Sequence, residues 1–220
     1  MNQPAPESSL GLEGPAGYLE NVYRATPTGV RPRAGAVLCH PHPLFGGTMH
    51  NKTLYRLAKR LSVEARMPSL RFNFRGTGRS LGRFDGGVGE TADARAATDR
   101  LAQEHPGLPI TIVGYSFGAV AGLRAGATDP RVKHLVALGT PVAEPSWDVE
   151  HLRTTDKPRL LVQGENDEFG GADAIRSFAA SATGPVDVHV VPAADHLFHG
   201  VEDAAVEAVV TYIQRHAVSV

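Results

Sequence analysis

Pro109-Ile110-Thr111-Ile112-Val113-Gly114-Tyr115-Ser116-Phe117-Gly118 runs directly into Ala119-Val120-Ala121-Gly122-Leu123. An apolar, β-branched run that ends in Gly-x-Ser-x-Gly and passes at once into small helix-compatible residues reads as a buried strand, a sharp turn and a helix. Such a turn forces its serine toward an unfavourable backbone conformation, and the flanking glycines let neighbouring elements come close. Ser116 is therefore the candidate nucleophile, its hydroxyl held above the end of a sheet.

The same pattern occurs a second time, at Gly78-Arg79-Ser80-Leu81-Gly82. Its surroundings are different. Arg75-Gly76-Thr77 precedes it and Arg83-Phe84-Asp85-Gly86-Gly87 follows, so neither a strand nor a helix adjoins it, and Ser80 reads as a loop serine. Arg75 and Arg79 beside Gly76 and Gly78 lack the Lys-Ser/Thr ending of a phosphate-binding loop and read as loop-structuring residues.

Outward from Ser116, short apolar runs alternate with helical patterns, which predicts a mostly parallel twisted sheet with helices on both faces. An antiparallel edge is expected near Tyr18 to Ala25, then strands at Ala34 to Cys39, Ser69 to Phe74, Ile110 to Tyr115, His134 to Leu138, Arg159 to Gln163 and Val186 to Val191. The helices between them show inward faces such as Leu54, Leu57, Ala58, Leu61 and Ala65, or Ala205, Ala208, Val209 and Tyr212. About twenty residues join the runs His134 to Leu138 and Arg159 to Gln163, with one short helix near Trp147 to Leu152, which leaves little chain for a lid and predicts an open pocket.

The chain has 220 residues, enough for one sizeable core, and one domain is expected over 18–220. Residues 1–17, rich in Pro, Gly, Ser and Glu, read as a disordered tail without the basic start or apolar core of a signal peptide. Twenty-two Lys and Arg against twenty-three Asp and Glu give a formal charge of −1, which offers no general electrostatic reason to bind nucleic acid or an anionic membrane. No apolar stretch is long enough to cross a bilayer, so a soluble, cytoplasmic chain is expected. Cys39, the only cysteine, cannot form an internal disulfide and falls in a buried strand.

A serine hydroxyl needs a base to take its proton and a carboxylate to orient that base. Both types follow in the right order. Asp167, in Gly164-Glu165-Asn166-Asp167 just past a strand, is the preferred acid, with Glu165 and Glu168 as competitors. His196, in Ala193-Ala194-Asp195-His196-Leu197-Phe198 after the last strand, is the candidate base; His199 reads as a capping or supporting residue and His189 as a strand residue. The oxyanion requires two N–H donors. Phe117 supplies one, and the other falls in His40-Pro41-His42-Pro43-Leu44-Phe45-Gly46-Gly47, where the prolines cannot donate and His42 is preferred to Leu44. His40, His42 and His50 have a spacing that could also serve a metal, but no cysteine pair or His-Glu-x-x-His helix supports that reading.

These blocks, together with Arg71-Phe72-Asn73-Phe74-Arg75-Gly76-Thr77-Gly78-Arg79-Ser80, resemble the α/β-hydrolase superfamily, and within it the small lidless bacterial serine hydrolases. The resemblance spans nearly everything after the tail. It implies a Ser116-His196-Asp167 triad, no cofactor, and carboxylesterase-like action on small esters, and the open site predicts short acyl chains. Thioesterase, peptidase, lactone hydrolase and perhydrolase reactions begin from the same activated serine, and a non-catalytic binding or scaffold protein on this fold is the alternative of another class. Apolar helix faces leave pairing as a homodimer open.

Overall fold

A computed structural model describes residues 5–217. In chain order it holds β1 (Glu7–Ser8), β2 (Glu13–Gly14), β3 (Gly17–Tyr18), β4 (Asn21–Arg24), β5 (Gly35–Cys39), α1 (Lys52–Glu64), β6 (Ser69–Phe72) and α2 (Val88–Glu104). Then follow β7 (Ile110–Tyr115), α3 (Phe117–Thr128), β8 (Val132–Leu138), α4 (Glu150–Thr154), β9 (Arg159–Gly164), α5 (Ala172–Ala180), β10 (Val186–Val191) and α6 (Glu202–His216). Eight strands form one sheet in the order β1-β4-β6-β5-β7-β8-β9-β10. β4 pairs antiparallel with both β1 and β6, while every pair from β6 to β10 is parallel.

Strand alternation divides the core into two layers. Val37, Cys39, Ile112, Leu135, Ala137 and Leu161 point to the face covered by α2, α3, α4 and α5, whose contributions include Ala94, Ala97, Leu101, Leu123, Leu152 and Ile175. Leu38, Val113, Tyr115, Val136, Leu138 and Val162 point to the opposite face, against the Leu54-Leu57-Ala58-Leu61 stripe of α1 and Val206, Val209, Val210 and Ile213 of α6. Burial of both faces is the physical reason that these strands read as continuous apolar runs. It also leaves their carboxyl ends as the edge where loops converge.

The order of the central strands decides where a site forms. From β5 the chain crosses by α1 to β6 on one side, then by α2 to β7 on the other side of β5. This is a topological switch point, and it puts the loop after β5 next to the turn after β7. The two segments singled out in the sequence therefore meet.

The expected strand at Ser69 to Phe74 stops at Phe72. The cause is local: Phe74 N–H donates to Nε2 of buried His40 at 3.0 Å, which turns the chain away from the sheet.

The expected disordered tail over residues 1–17 is corrected from residue 5 onward; residues 1–4 lie outside the described part. Glu7 and Ser8 pair with Arg24 and Tyr23, Leu12 is buried, and Leu19 N–H donates to Leu12 O at 2.9 Å. A polar composition predicted disorder because the partners of this segment lie elsewhere in the chain. Glu7 Oε1 accepts from the buried guanidinium groups of Arg24, at 2.6 Å, and Arg71, at 2.5 Å. Leaving two buried cations without that carboxylate is costly, moderated here by the partial exposure of Glu7. Glu7→Ala is expected to lower the free energy of unfolding by about 1–3 kcal/mol, read as a reduced urea midpoint; an unchanged midpoint would show that this strand adds nothing to stability.

Candidate active site

Ser116 sits between β7 and α3 with φ 53° and ψ −114°, a conformation that L-residues rarely adopt. The glycines on either side explain how it is accommodated. A Cβ at Gly114 would lie 2.3 Å from the carbonyl oxygen of Gly118, and one at Gly118 would lie 2.3 Å from that of Cys39. Backbones of the turn, α3 and β5 thus touch where side chains would stand. Ser116 N–H donates to Leu138 O at 2.8 Å, and Ser116 O accepts from Ala119 N–H at 2.8 Å.

Ser116 Oγ lies 2.8 Å from His196 Nε2, and His196 Nδ1 lies 2.8 Å from Asp167 Oδ2. Three loops supply these residues, after β7, β9 and β10. Asp167 is buried and also accepts from Gln163 Nε2 at 2.6 Å and from Phe169 N–H at 2.8 Å. Such bonds fix the carboxylate so that one oxygen faces the imidazole. The competing acids stand elsewhere: Glu165 accepts from Ala193 N–H at 2.7 Å, and Glu168 lines the cleft above.

Gln163 was not anticipated. Its amide also donates to Gly170 O at 2.8 Å and accepts from Thr140 N–H at 2.8 Å, so it joins the β8 and β9 loops around Asp167. One signal was available in the sequence, a lone amide ending the apolar run Leu160-Leu161-Val162.

The loop after β5 forms a single 3-10 turn over Pro43–Phe45, closed by Gly46 in the left-handed region. His42 O accepts from Phe45 N–H at 3.1 Å and Gly47 N–H at 3.0 Å. Leu44 N–H donates to His42 Nδ1 at 3.1 Å and is thereby engaged within its own loop. The N–H groups of His42 and Phe117 have no partner among the described residues. Between the two sequence candidates, this occupation of Leu44 favours His42.

His40 and His42 diverge. His40 is fully buried, with Nδ1 bonded to Pro41 O at 2.6 Å and Nε2 accepting from Phe74 N–H, so both ring nitrogens hold the loop in place. His42 instead packs among the rings of Phe45, Phe84, Phe117 and Trp147, with centroids 4.7 to 5.3 Å away. Among the described residues no three His, Cys, Asp or Glu side chains gather as metal ligands would.

Ser80 is a structural residue. Its Oγ donates to Asn73 O at 2.7 Å and accepts from Glu20 N–H at 2.9 Å. Asn73 in turn accepts from Met49 N–H at 2.8 Å and donates to Glu20 at 2.9 Å, which ties the loops after β5 and β6 together. Hydrogen bonding to the Arg79 backbone, with the Arg79 guanidinium, holds the Glu20 carboxyl below its usual range. Cys39 is buried, which pushes its thiol far up and away from reactivity. His199 is exposed, bonds Asp195 through Nδ1 at 2.6 Å, and lies before α6 rather than on it.

A cleft of about 710 Å³ opens above Ser116 and His196. The β8–β9 connection contributes Pro141, Glu144, Ser146 and Trp147 to one wall, and Phe84 from the loop before α2 contributes to another. That second loop is fixed by Glu90, a buried carboxylate accepting from Asp85 N–H and Gly87 N–H at 2.8 Å each. Leu44 and Phe45 stand 67% and 86% exposed at the mouth, so the pocket is open rather than roofed.

These features match known proteins along nearly the whole chain. Residues 36–217 fit the family model described as an alpha/beta hydrolase domain. An alpha-beta serine hydrolase homologue from Coxiella burnetii is 34% identical, with 94% of this chain and 97% of that one covered at a TM-score of 0.84. A protein from Xanthomonas campestris, described as an a/b serine hydrolase without lid, is 30% identical over 96% and 95% of the two chains, at a TM-score of 0.85. An uncharacterized Rickettsia prowazekii protein is 34% identical over 194 residues, which cover 85% of this chain and 80% of that one. The chain belongs to the alpha/beta hydrolase family, in its small lidless bacterial group. Membership supports hydrolase activity. Among the described residues no helix is long and apolar enough to cross a membrane.

The buried imidazole of His40 and the part-buried one of His151 are expected to make the fold acid-sensitive. Burial pushes His40 and His151 from their ordinary 6.5 down to about 4; His151 Nε2 is bonded to Ala119 O beneath α3. Both are neutral when folded but bind protons near pH 6.5 when unfolded, so the unfolded state takes up more protons between about pH 6.5 and about 4. Stability therefore falls as pH drops through that window, by up to about 1.4 kcal/mol per unit for each histidine. Burial also lowers His42, His105 and His134 in the same sense, whereas exposed His199, raised by Asp195, acts weakly in the opposite one. Urea unfolding at pH 7 and pH 5 should differ by roughly 2–4 kcal/mol, lower at pH 5; equal stabilities would contradict the neutral state of these rings.

Proposed function

We propose that the chain is a serine hydrolase that cleaves small carboxylic esters with short acyl groups through an acyl-enzyme on Ser116. The observation that carries this reading is the continuous relay from Ser116 Oγ to His196 Nε2 and from His196 Nδ1 to Asp167, each step 2.8 Å. His196 takes the Ser116 proton as Oγ attacks the ester carbonyl, and Asp167 stabilises the imidazolium so formed. The N–H groups of Phe117 and His42 donate to the tetrahedral oxyanion, preorganised by the turn and by the 3-10 loop. His196 then gives its proton to the leaving alcohol. A water molecule, deprotonated by the same imidazole, attacks the acyl carbon, and collapse of the second tetrahedral intermediate returns Ser116. No cofactor is needed for any step.

Ser116→Ala should lower ester kcat by about 10⁴-fold or more while leaving the circular dichroism spectrum and melting temperature close to wild type. A fluorophosphonate should add once to the wild type by intact mass and not at all to the variant. Retained turnover by Ser116→Ala would remove the assignment.

The open cleft, without a lid to form a long acyl tunnel, supports short acyl groups. With p-nitrophenyl esters, kcat/KM is expected to be greatest between acetyl and butyryl and to fall at least about tenfold by dodecanoyl, a few methylenes' worth of lost contact. A rising series through dodecanoyl would contradict the short-acyl part and leave the nucleophile untouched.

A further inference from the structure

We propose that the cleft above Ser116 selects substrates carrying a positive charge, in the chemical class of esters of amino or quaternary ammonium alcohols, and disfavours anionic ones. The inference rests on the reading of Ser116 as nucleophile and adds its substrate class. Five aromatic side chains line the cleft: Phe45, Phe84, Phe117, Trp147 and Phe169. They are arranged around the reacting groups, with Trp147 edge-on to Phe117 at 5.3 Å, Phe84 at 5.6 Å from Phe117, and Phe169 edge-on to His196 at 4.7 Å. Aromatic faces attract a weakly hydrated cation through their quadrupole. They suit a neutral apolar group as well, so charge must decide.

The formal charges in the lining point one way. Glu144 and Glu168 line the cleft, and no lysine or arginine does, among the described residues. Glu144 Oε1 accepts both the Ser146 hydroxyl, at 2.7 Å, and its N–H, at 3.2 Å, while Oε2 has no hydrogen-bond partner among the described residues. These bonds lower the Glu144 carboxyl, which keeps it ionised. Glu168 accepts no hydrogen bond from a described residue. The exposed imidazole of His199, which Glu168 influences only weakly, is held by Asp195 at 2.6 Å. His42, inside the aromatic cluster, is lowered by burial and stays neutral. Two carboxylates over an aromatic wall favour a bound cation and repel a carboxylate, an effect that salt screens.

Trp147 is the only tryptophan of the chain and stands in this wall, so its fluorescence reports occupancy directly. Choline, its uncharged carbon isostere 3,3-dimethyl-1-butanol, and 4-hydroxybutanoate are titrated at low ionic strength. Choline is expected to bind about five- to tenfold more tightly than the isostere, and the anion more weakly than either. The choline-to-isostere ratio should shrink toward one in 0.3 M NaCl and in the Glu144→Gln/Glu168→Gln double variant. An isostere that binds as tightly as choline, or a preference that survives both salt and the double substitution, overturns the proposal. Glu168→Gln alone, at an exposed position, gives the same readout if the double variant does not fold. Fluorophosphonate labelling of the same samples separates the two readings: labelled Ser116 with no charge preference removes only the substrate class, and unlabelled Ser116 with a charge preference removes only the nucleophile.

Discussion

The close approach of backbone at the β7–α3 turn is the constraint on which the site depends. Gly118 lies directly against the carbonyl of Cys39, so the start of α3 rests on the end of β5 with no side chain between them. That contact brings the N–H of Phe117 and the loop that begins at His40 to the same place. It also holds Ser116 at a positive φ, where a residue of this kind costs about 1–3 kcal/mol. Burial of α3 among small residues and the hydrogen bonds of Ser116 to Leu138 and Ala119 offset that strain. A single added methyl at Gly118 would separate the elements that the proposed reaction needs together.

Around this contact the protein uses buried polar side chains as braces. His40 fastens the loop after β5 to Phe74, Asn73 in the loop after β6 accepts from Met49 in the loop after β5 and donates to Glu20, and Gln163 holds Asp167 against the β8 and β9 loops. Each is buried, and each has its principal donors and acceptors engaged, which is the condition under which burying such groups is tolerated. Rotation of His40 or Gln163 would break several of these bonds at once.

The cleft is assembled from segments far apart in sequence. Phe45, Phe84, Trp147 and Phe169 come from four different connections and Phe117 opens α3, and only the sheet order makes them neighbours. The β8–β9 connection, too short for a lid, still supplies a wall through Trp147 and Glu144. Open access and a chemically distinct lining are thus compatible.

Much of the architecture was legible in the chain because strand and helix leave local periodic traces, and because an elbow serine, an acid after a strand and a histidine after the last strand carry their own context. Ser116, Asp167 and His196 are named by such context, and the structure brings them within hydrogen-bonding distance. Ser80 was separable from Ser116 for the same reason, since no helix follows it. The N-terminal segment was misread because Glu7 acquires its order from Arg24 and Arg71, and Leu12 from a core that composition does not reveal. The brace at Gln163 and the aromatic wall were decided by tertiary structure alone. They depend on which loop ends lie side by side, and that follows from the crossing at β5 rather than from any local run of residues.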